Sequence, residues 1–547
     1  MTTVAPRGNA KDAGAAEATE LALEPAGPPA LTHRQILVVM SGLMLGMFLA
    51  TLDQTIVGTA LPTIVGDFHR ADLLSWVVTV YLLTSTISTP LYGKASDLYG
   101  RKRVLQLSIV IFLIGSTLCG VAQSMDQLIA FRALQGLGAG GLMSLALAVI
   151  ADIIPPRERG RYQGYFGAVF VSSSLIGPLL GGFFVDHASW RWVFYINLPL
   201  GLLALVVTNR VLKMPFTQRK VSIDWAGAGL LVAGISALLV AVQSGGRDFA
   251  WTSAEMAVLV TAGVVLVIAF VIRERSAVEP ILPPRLFGNG SFRVASSIGF
   301  LSGAVMFGVI IFLPQYLQLV RGESATVSGL TTIPMLLGVL FTSITSGRLI
   351  SRIGRYKVFI VGGTFVLTAG LLLMTQISAT TSILVLTIWM FVVGSGMGAF
   401  MQTLVMATQS SVETRDLGVA TSSIMFFRTM GGAIGAAGFG AFLTSRLTTE
   451  LPKHLPAGTA RSIGHSTNKL ITSPEAVRAL PTAIRHGIGL AYSSALADVF
   501  FATIPIALIC VVLSFMLREI KLRSTNGIQR AAAEAADEGV LTEAAIL

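Results

Sequence analysis

Asp53 and Arg132 are the residues with most scope for chemistry, because each lies inside a run of apolar side chains where a charge has no solvent. An ionised carboxylate at membrane depth costs a few kcal/mol or more. Asp53 must then be neutral part of the time or be paired, and those two options are the basis of a proton switch. Arg132 opens the run Arg132-Ala133-Leu134-Gln135-Gly136-Leu137-Gly138-Ala139-Gly140. It lies roughly 8 Å inside the outer end of its segment at 1.5 Å per residue, and Asp53 is about as deep in its own segment. The pair is expected to bind and release a proton as substrate leaves and arrives. The competing expectation is a permanent buried ion pair that fixes helix packing.

Other groups could act with them. Gly93, Asp97, Gly100, Arg101 and Lys102 make a Gly-x-x-x-Asp-x-x-Gly-Arg-Lys run. Cations alone would only orient the chain; an acid at this spacing makes the run a candidate gate. Asp152, at the far end of the Arg132 segment, is a further partner for that base. In Gly177-Pro178-Leu179-Leu180-Gly181-Gly182, Pro178 removes a backbone donor and the glycines admit a close neighbour. Arg428 and Asp498 fall near mid-membrane by residue count, as a second functional pair or a structural one. For a substrate cavity the candidates are Trp76, Tyr81, Gln135, Met306, Gln315, Tyr316, Met401, Gln402, Phe426 and Phe427, which combine soft apolar surface with a few hydrogen-bonding groups.

The elements that must position these residues are membrane helices. The 547 residues are 53% hydrophobic and 12% charged, with mean hydropathy +0.75, so lipid is the main solvent. About fourteen runs of some twenty apolar residues can be counted. They begin near Ile36, Leu73, Val104, Gln127, Tyr162, Trp192, Asp224, Ala254, Arg293, Ala325, Lys357, Ser382, Gly418 and Leu490. Alternate loops carry the cations: Lys94 with Arg101, Lys102 and Arg103; Arg157, Arg159 and Arg161; Arg219 and Lys220; Arg348, Arg352, Arg355 and Lys357. The positive-inside rule makes those loops and both termini cytoplasmic. Residues 1–34, rich in Ala, Gly, Pro and Glu, read as a disordered cytoplasmic tail, and residues 518–547 as a second tail.

The net charge of +11 does not indicate a nucleic-acid partner, because no solvated domain exists to concentrate it. Cys119 and Cys510, each in an apolar run, build neither a disulfide framework nor a zinc site. His454, His465 and His486 match no zinc spacing. Gly136-x-Gly138-x-x-Gly141 lacks the preceding strand of a dinucleotide site. No Walker A run, HExxH pair or nucleophile elbow occurs, so no cofactor, metal or enzymatic chemistry is expected and the energy source is an ion gradient.

The chain also repeats itself. Gly93 to Lys102 aligns with Gly347 to Tyr356; Gly136, Gly138 and Gly140 recur as Gly394, Gly396 and Gly398; Arg157-Glu158-Arg159-Gly160 recurs as Arg415-Asp416-Leu417-Gly418; Gly177-Pro178 with Gly181 recurs as Gly431-Gly432 with Gly435. Met390 stands where Arg132 would, Phe307 near where Asp53 would, and Ser351 replaces the acid of the cationic loop. The second copy has shed the charge pair, and its gate should be the weaker. The expected architecture is an all-α integral membrane protein with a six-helix bundle at 35–213, an inserted helix pair with linkers at 214–292, and a second six-helix bundle at 293–517 that carries an outer loop at 444–489.

Over residues 35 to 520 the sequence resembles the fourteen-span drug:proton antiporter family of the major facilitator superfamily. Leu52-Asp53-Gln54-Thr55-Ile56-Val57-Gly58-Thr59-Ala60-Leu61-Pro62 is similar to the family's first-span signature, with Gly58 where Asn is usual. The Gly93 to Lys102 run resembles the superfamily's gating loop, and Gly177 to Gly182 the motif associated with antiporters. Trp190-Arg191-Trp192-Val193-Phe194-Tyr195-Ile196-Asn197-Leu198-Pro199 also resembles the family and is expected to anchor aromatic rings at the interface. The resemblance implies a plasma-membrane exporter that exchanges lipophilic or cationic drugs for protons by alternating access. Export of an endogenous lipid or secondary metabolite, and a non-transporting sensor or scaffold, are the other expectations to weigh.

Overall fold

The computed structural model describes residues 32–70, 73–212, 223–245, 249–455, 477, 480–520 and 522. Both expected tails fall almost wholly outside these residues, as do Arg219, Lys220 and His465. The described chain is a succession of long helices: α1 His33–Phe68, α2 Leu74–Tyr99, α3 Arg101–Val121, α4 Met125–Ile153, α5 Pro156–His187, α6 Asn197–Val211, α7 Trp225–Ser244, α8 Ala254–Ser276, α9 Gly290–Leu319, α10 Ile333–Ile353, α11 Lys357–Met374, α12 Ile383–Ser410, α13 Leu417–His454 and α14 Thr482–Met516.

Starts are set by capping side chains. Thr32 and Gln35 form a reciprocal capping box on α1, and Ser124, Ser253 and Asn289 accept from the first amides of α4, α8 and α9. The turns from α2 to α3 and from α10 to α11 each pass through a positive φ, 93° at Gly100 and 76° at Gly354. That backbone favours glycine, which explains why this glycine recurs in both copies of the repeat.

Among the described residues 12 helices are long and apolar enough to cross a membrane. Of the long helices, α2 and α13 are not among them. Thr84-Ser85-Thr86 and Ser88-Thr89 dilute α2, and α13 is rich in Gly, Thr and Ser around Arg428. The boundaries of the outer loop are corrected: α13 continues to His454 and α14 starts at Thr482, so 444–454 and 482–489 are helical.

Helices α1 to α6 pack in the same pairwise pattern as α9 to α14: α1 on α5 matches α9 on α13, α2 on α4 matches α10 on α12, and α3 on α6 matches α11 on α14. The halves meet where α5 packs on α10 and α13 on α2. Helices α7 and α8 pair with each other, and α7 also touches α2 and α13. Beside them an open groove of about 800 Å³ is lined by Trp76, Val240, Ser244, Phe249, Glu255 and Val258 among others.

Asp224 caps α7 through the Gly227 amide at 3.1 Å and accepts from Arg273 of α8 at 2.9 and 3.2 Å. The bond from Arg273 holds the Asp224 carboxyl below the ordinary carboxylate range. Its contribution is therefore present at neutral pH and is lost as pH falls through that lowered pKa. Asp224→Ala should cost about 1 kcal/mol, the usual worth of an N-cap, read as a lower thermal midpoint of the detergent-purified protein at pH 7. The gap between variant and parent should narrow in acid.

Candidate functional site

Five helices bring polar side chains to one point between α1 and α4. Asp53 has no exposed surface and Arg132 has 1%. Arg132 Nη1 donates to Asp53 Oδ2 at 2.5 Å, and Gln135 Nε2 and Asn197 Nδ2 donate to Oδ1 at 2.8 and 3.1 Å. Asn197 Nδ2 also reaches Ser116 Oγ at 3.0 Å, and Ser116 donates to the Phe194 carbonyl at 2.8 Å. The guanidinium lies 4.1 Å from the centroid of the Tyr81 ring, and Tyr81 in turn donates to the Ala50 carbonyl at 3.3 Å. The carboxylate thus accepts from three donors on α4 and α6. That arrangement suits the charged state, and protonation would take away acceptor capacity from at least one of them.

The sequence places α4 close enough for this through its glycines. A Cβ at Gly136 or Gly140 would strike α2, and one at Gly138 would strike the backbone of Phe112 on α3. Gly177 and Gly181 of α5 abut Thr55 and Thr59 of α1, and Thr55 donates to the Ser173 carbonyl at 3.0 Å. This glycine face therefore packs on the helix that carries Asp53. Gly182 meets no atom within 4 Å and takes no part. Gly58 likewise faces open space.

At the end where the basic loops lie, the halves are joined. Asp97 accepts from the Gly418 and Val419 amides at 3.2 and 2.9 Å, so a carboxylate on α2 caps the N-terminus of α13. Arg101 pairs with Asp97 and donates through Nε to Asp152 at 2.8 Å. Gly93 lies directly against Ser422, and Gly160 of α5 against the backbone of Gly347 on α10. Arg159 Nη1 reaches Gln409 at 3.3 Å, and Gln409 reaches the Leu147 carbonyl at 3.3 Å. Lys102 is placed elsewhere: its Nζ donates to the Asn209 carbonyl at 2.7 Å, at the end of α6 within its own half. In the second copy, Ser351 bonds only the Gly347 carbonyl at 3.1 Å, and the contact there is made by glycine backbones.

The expected pairing of Arg428 with Asp498 is corrected. Asp498 pairs with Arg446 at 3.1 Å. Arg428 lies 11 residues into α13, about 16 Å from its basic end, whereas Asp498 lies about 27 Å from the corresponding end of α14 at 1.5 Å per residue. Several cavity candidates are buried in packing. Gln135 and Tyr81 belong to the Asp53 cluster; Tyr316 is fully buried and donates to the Ser378 carbonyl at 2.7 Å; Phe426 is 2% exposed. Gln315 accepts from Tyr492 at 3.1 Å. Met306, Met401, Gln402 and Phe427 keep partial exposure, and Trp76 lines the groove beside α7 and α8.

Sequence reasoning missed Ser116 and misassigned Asn197, which it grouped with interfacial anchors. Trp192 of that run is 51% exposed, as an anchor should be, but Asn197 is wholly buried against Asp53. Asn197→Ala should cut any Asp53-dependent proton movement roughly ten-fold or more, given a charge-assisted bond worth about 1.5–3 kcal/mol. Trp192→Ala should leave it unchanged. A pH-sensitive dye trapped in proteoliposomes checks both.

A fold of duplicated helical halves, with an ionisable pair buried in one and a jointed seam between them, defines a multi-pass membrane transporter. This chain belongs to the Major Facilitator Superfamily, whose family model matches residues 43–436. It is 38% identical over 524 residues to the multidrug transporter protein MdtP of Bacillus subtilis (strain 168), covering 92% of this chain and 97% of the relative. It is also 38% identical to multidrug resistance protein 3 of the same organism, over 87% of this chain and 94% of that one. An uncharacterized MFS-type transporter of Mycobacterium tuberculosis is 40% identical over 91% of this chain and 72% of its own length. Among solved structures, the proton:xylose symporter XylE aligns with TM-score 0.60 at 14% identity, over 92% of this chain and 100% of that one.

Proposed function

We propose that this protein is a proton-coupled antiporter that exports lipophilic drugs and related small molecules, cationic ones among them, across the plasma membrane. The observation that carries the reading is Asp53, a fully buried carboxylate whose three donors come from two other helices. Intramembrane ionisable groups of this kind mark proton relays. The names of the Bacillus subtilis relatives favour drugs as cargo. In this reading α1 to α14 all span the membrane, as two six-helix bundles with α7 and α8 inserted between them, and the basic end and both termini are cytoplasmic. The Asp97, Arg101 and Asp152 contacts then close the cytoplasmic side, and the protein faces outward.

The test is reconstitution of the purified protein in liposomes with a trapped pH dye. Ethidium or a neutral lipophilic compound such as chloramphenicol, added outside, should drive protons out. No proton movement with either compound would sink drug:proton antiport and move the reading to export of a lipid or metabolite.

A further inference from the structure

Arg428 is the cation that this reading leaves unused. It lies 11 residues into α13, about 16 Å from the basic end at 1.5 Å per residue. Across the seam Met143 lies at a matching depth on α4, 10 residues from Ile153 and so about 15 Å from that end. Arg428 Nη2 is 3.0 Å from the Met425 sulfur and 4.0 Å from that of Met143. Thioether sulfur is a weak acceptor, and a guanidinium carries five N–H donors in a fixed fork. Among the described residues no carboxylate forms an ion pair with it. The partner expected from residue counting, Asp498, is committed to Arg446.

The side chain is half-buried. Its contact with Met143 places the guanidinium at the seam of α4 and α13, between the two halves. The Gly303 backbone of α9 packs against that of Arg428, which fixes the helix that carries the side chain. The repeat makes the asymmetry plain. Three residues before Gly177 the first copy has Ser174, and three before Gly431 the second has Arg428. A lone intramembrane guanidinium is expensive to keep, and soft methionine walls suit an apolar body next to a charge.

We propose that Arg428 is a cargo-binding residue, and that the central site takes amphiphilic molecules whose apolar body lies against Met143 and Met425 while a carboxylate, sulfonate or phosphate group meets the guanidinium. This adds amphiphilic anions to the cationic and neutral cargo of the transport reading above and rests on that reading for the site being a cargo site. A planar anion can accept two parallel N–H bonds from Arg428, a geometry that a lysine does not reproduce.

Dansyl-leucine and dansyl-leucinamide test this, because they share one fluorescent apolar body and differ in the carboxylate. The intact, detergent-purified protein should bind the acid ten- to a hundred-fold more tightly than the amide, the range expected of a charge-assisted hydrogen bond. Arg428→Gln should bring the two affinities together by weakening the acid alone, and Arg428→Lys should keep part of the preference. Each variant's thermal midpoint shows that it is folded. Equal affinities in the intact protein, or an acid preference that survives Arg428→Gln, overturn the assignment, as does failure of both probes to bind. The antiport reading is judged separately by the liposome dye: acid-selective binding without proton movement leaves Arg428 as a binding residue and removes proton exchange.

Discussion

Asp53→Asn should move no protons when substrate is added to dye-loaded proteoliposomes, although the protein still binds that substrate within a few-fold. Asparagine keeps the size of the side chain and its place among Gln135, Asn197 and Arg132, but it cannot take up and release a proton near neutral pH. Because the change leaves Arg132 buried without its counter-charge, it should also cost stability, about 3–5 kcal/mol for one half of a broken buried pair. That cost would by itself fit an ion pair whose only task is to fix helix packing. The double variant Asp53→Asn with Arg132→Gln separates the two roles. It removes both charges, so its thermal midpoint should return toward that of the parent, while proton movement stays absent. Proton movement in the double variant, at any stability, would show that the pair is structural.

The second large effect is expected at the seam. Gly347→Leu should hold the basic end open, because the α5 and α10 backbones touch at Gly160 and Gly347 and no side chain fits between them. Close-packed interfaces of this kind have two discrete arrangements rather than a continuum. Denying one of them by even ~3 kcal/mol shifts a two-state equilibrium about a hundred-fold. Spin labels at Arg157→Cys and Arg352→Cys, both exposed, should report a longer distance distribution, and turnover should fall at least ten-fold. The native Cys119 and Cys510 are buried and should not take label. Gly329→Leu is the control, since a Cβ there meets open space. An unchanged distance distribution in Gly347→Leu would mean that this contact does not define the closed state.

Much of the fold was legible because helix length and apolar content are set by the bilayer. The runs that begin near Leu73, Ala254 and Lys357 start within a residue of α2, α8 and α11. The repeat was legible because its glycines have backbone reasons to persist, as at Gly100 and Gly354. What residue counting gives is depth along one helix; it does not give the direction in which a side chain points. Asp53 and Arg132 share a depth and also a direction, and they meet. Tyr316 and Phe426 were grouped with the cavity by type, but their helix faces turn into the packing. Depth itself failed for Asp498, because α14 starts eight residues before the expected Leu490 and its outer turns shift the count. Asn197 was hidden among aromatic neighbours that do lie at the interface. Its role depends on the break between the short helix Trp192–Tyr195 and α6, a detail of backbone geometry that composition does not carry.

The stretch from α8 to α9 crosses the seam on two partly buried clasps. Glu279 holds Lys94 of α2, and Arg285 holds Asp416, just before α13, at 2.8 Å, while Glu274 anchors the amides of Ile281 and Leu282 at 3.1 and 2.8 Å. Each clasp has one outward partner, Arg285 at 52% and Glu279 at 23% exposed, and one buried partner, Asp416 at 9% and Lys94 at 7%, whereas Arg101 and Asp97 are each 8% exposed. Mobile ions, with a Debye length of about 8 Å at physiological ionic strength, screen Arg285 most and the buried partners least. Under the proposed transport reading, the buried Asp97 and Arg101 contact should be insensitive to electrolyte, and the half-exposed Arg285 should be the first point at which brine loosens this face.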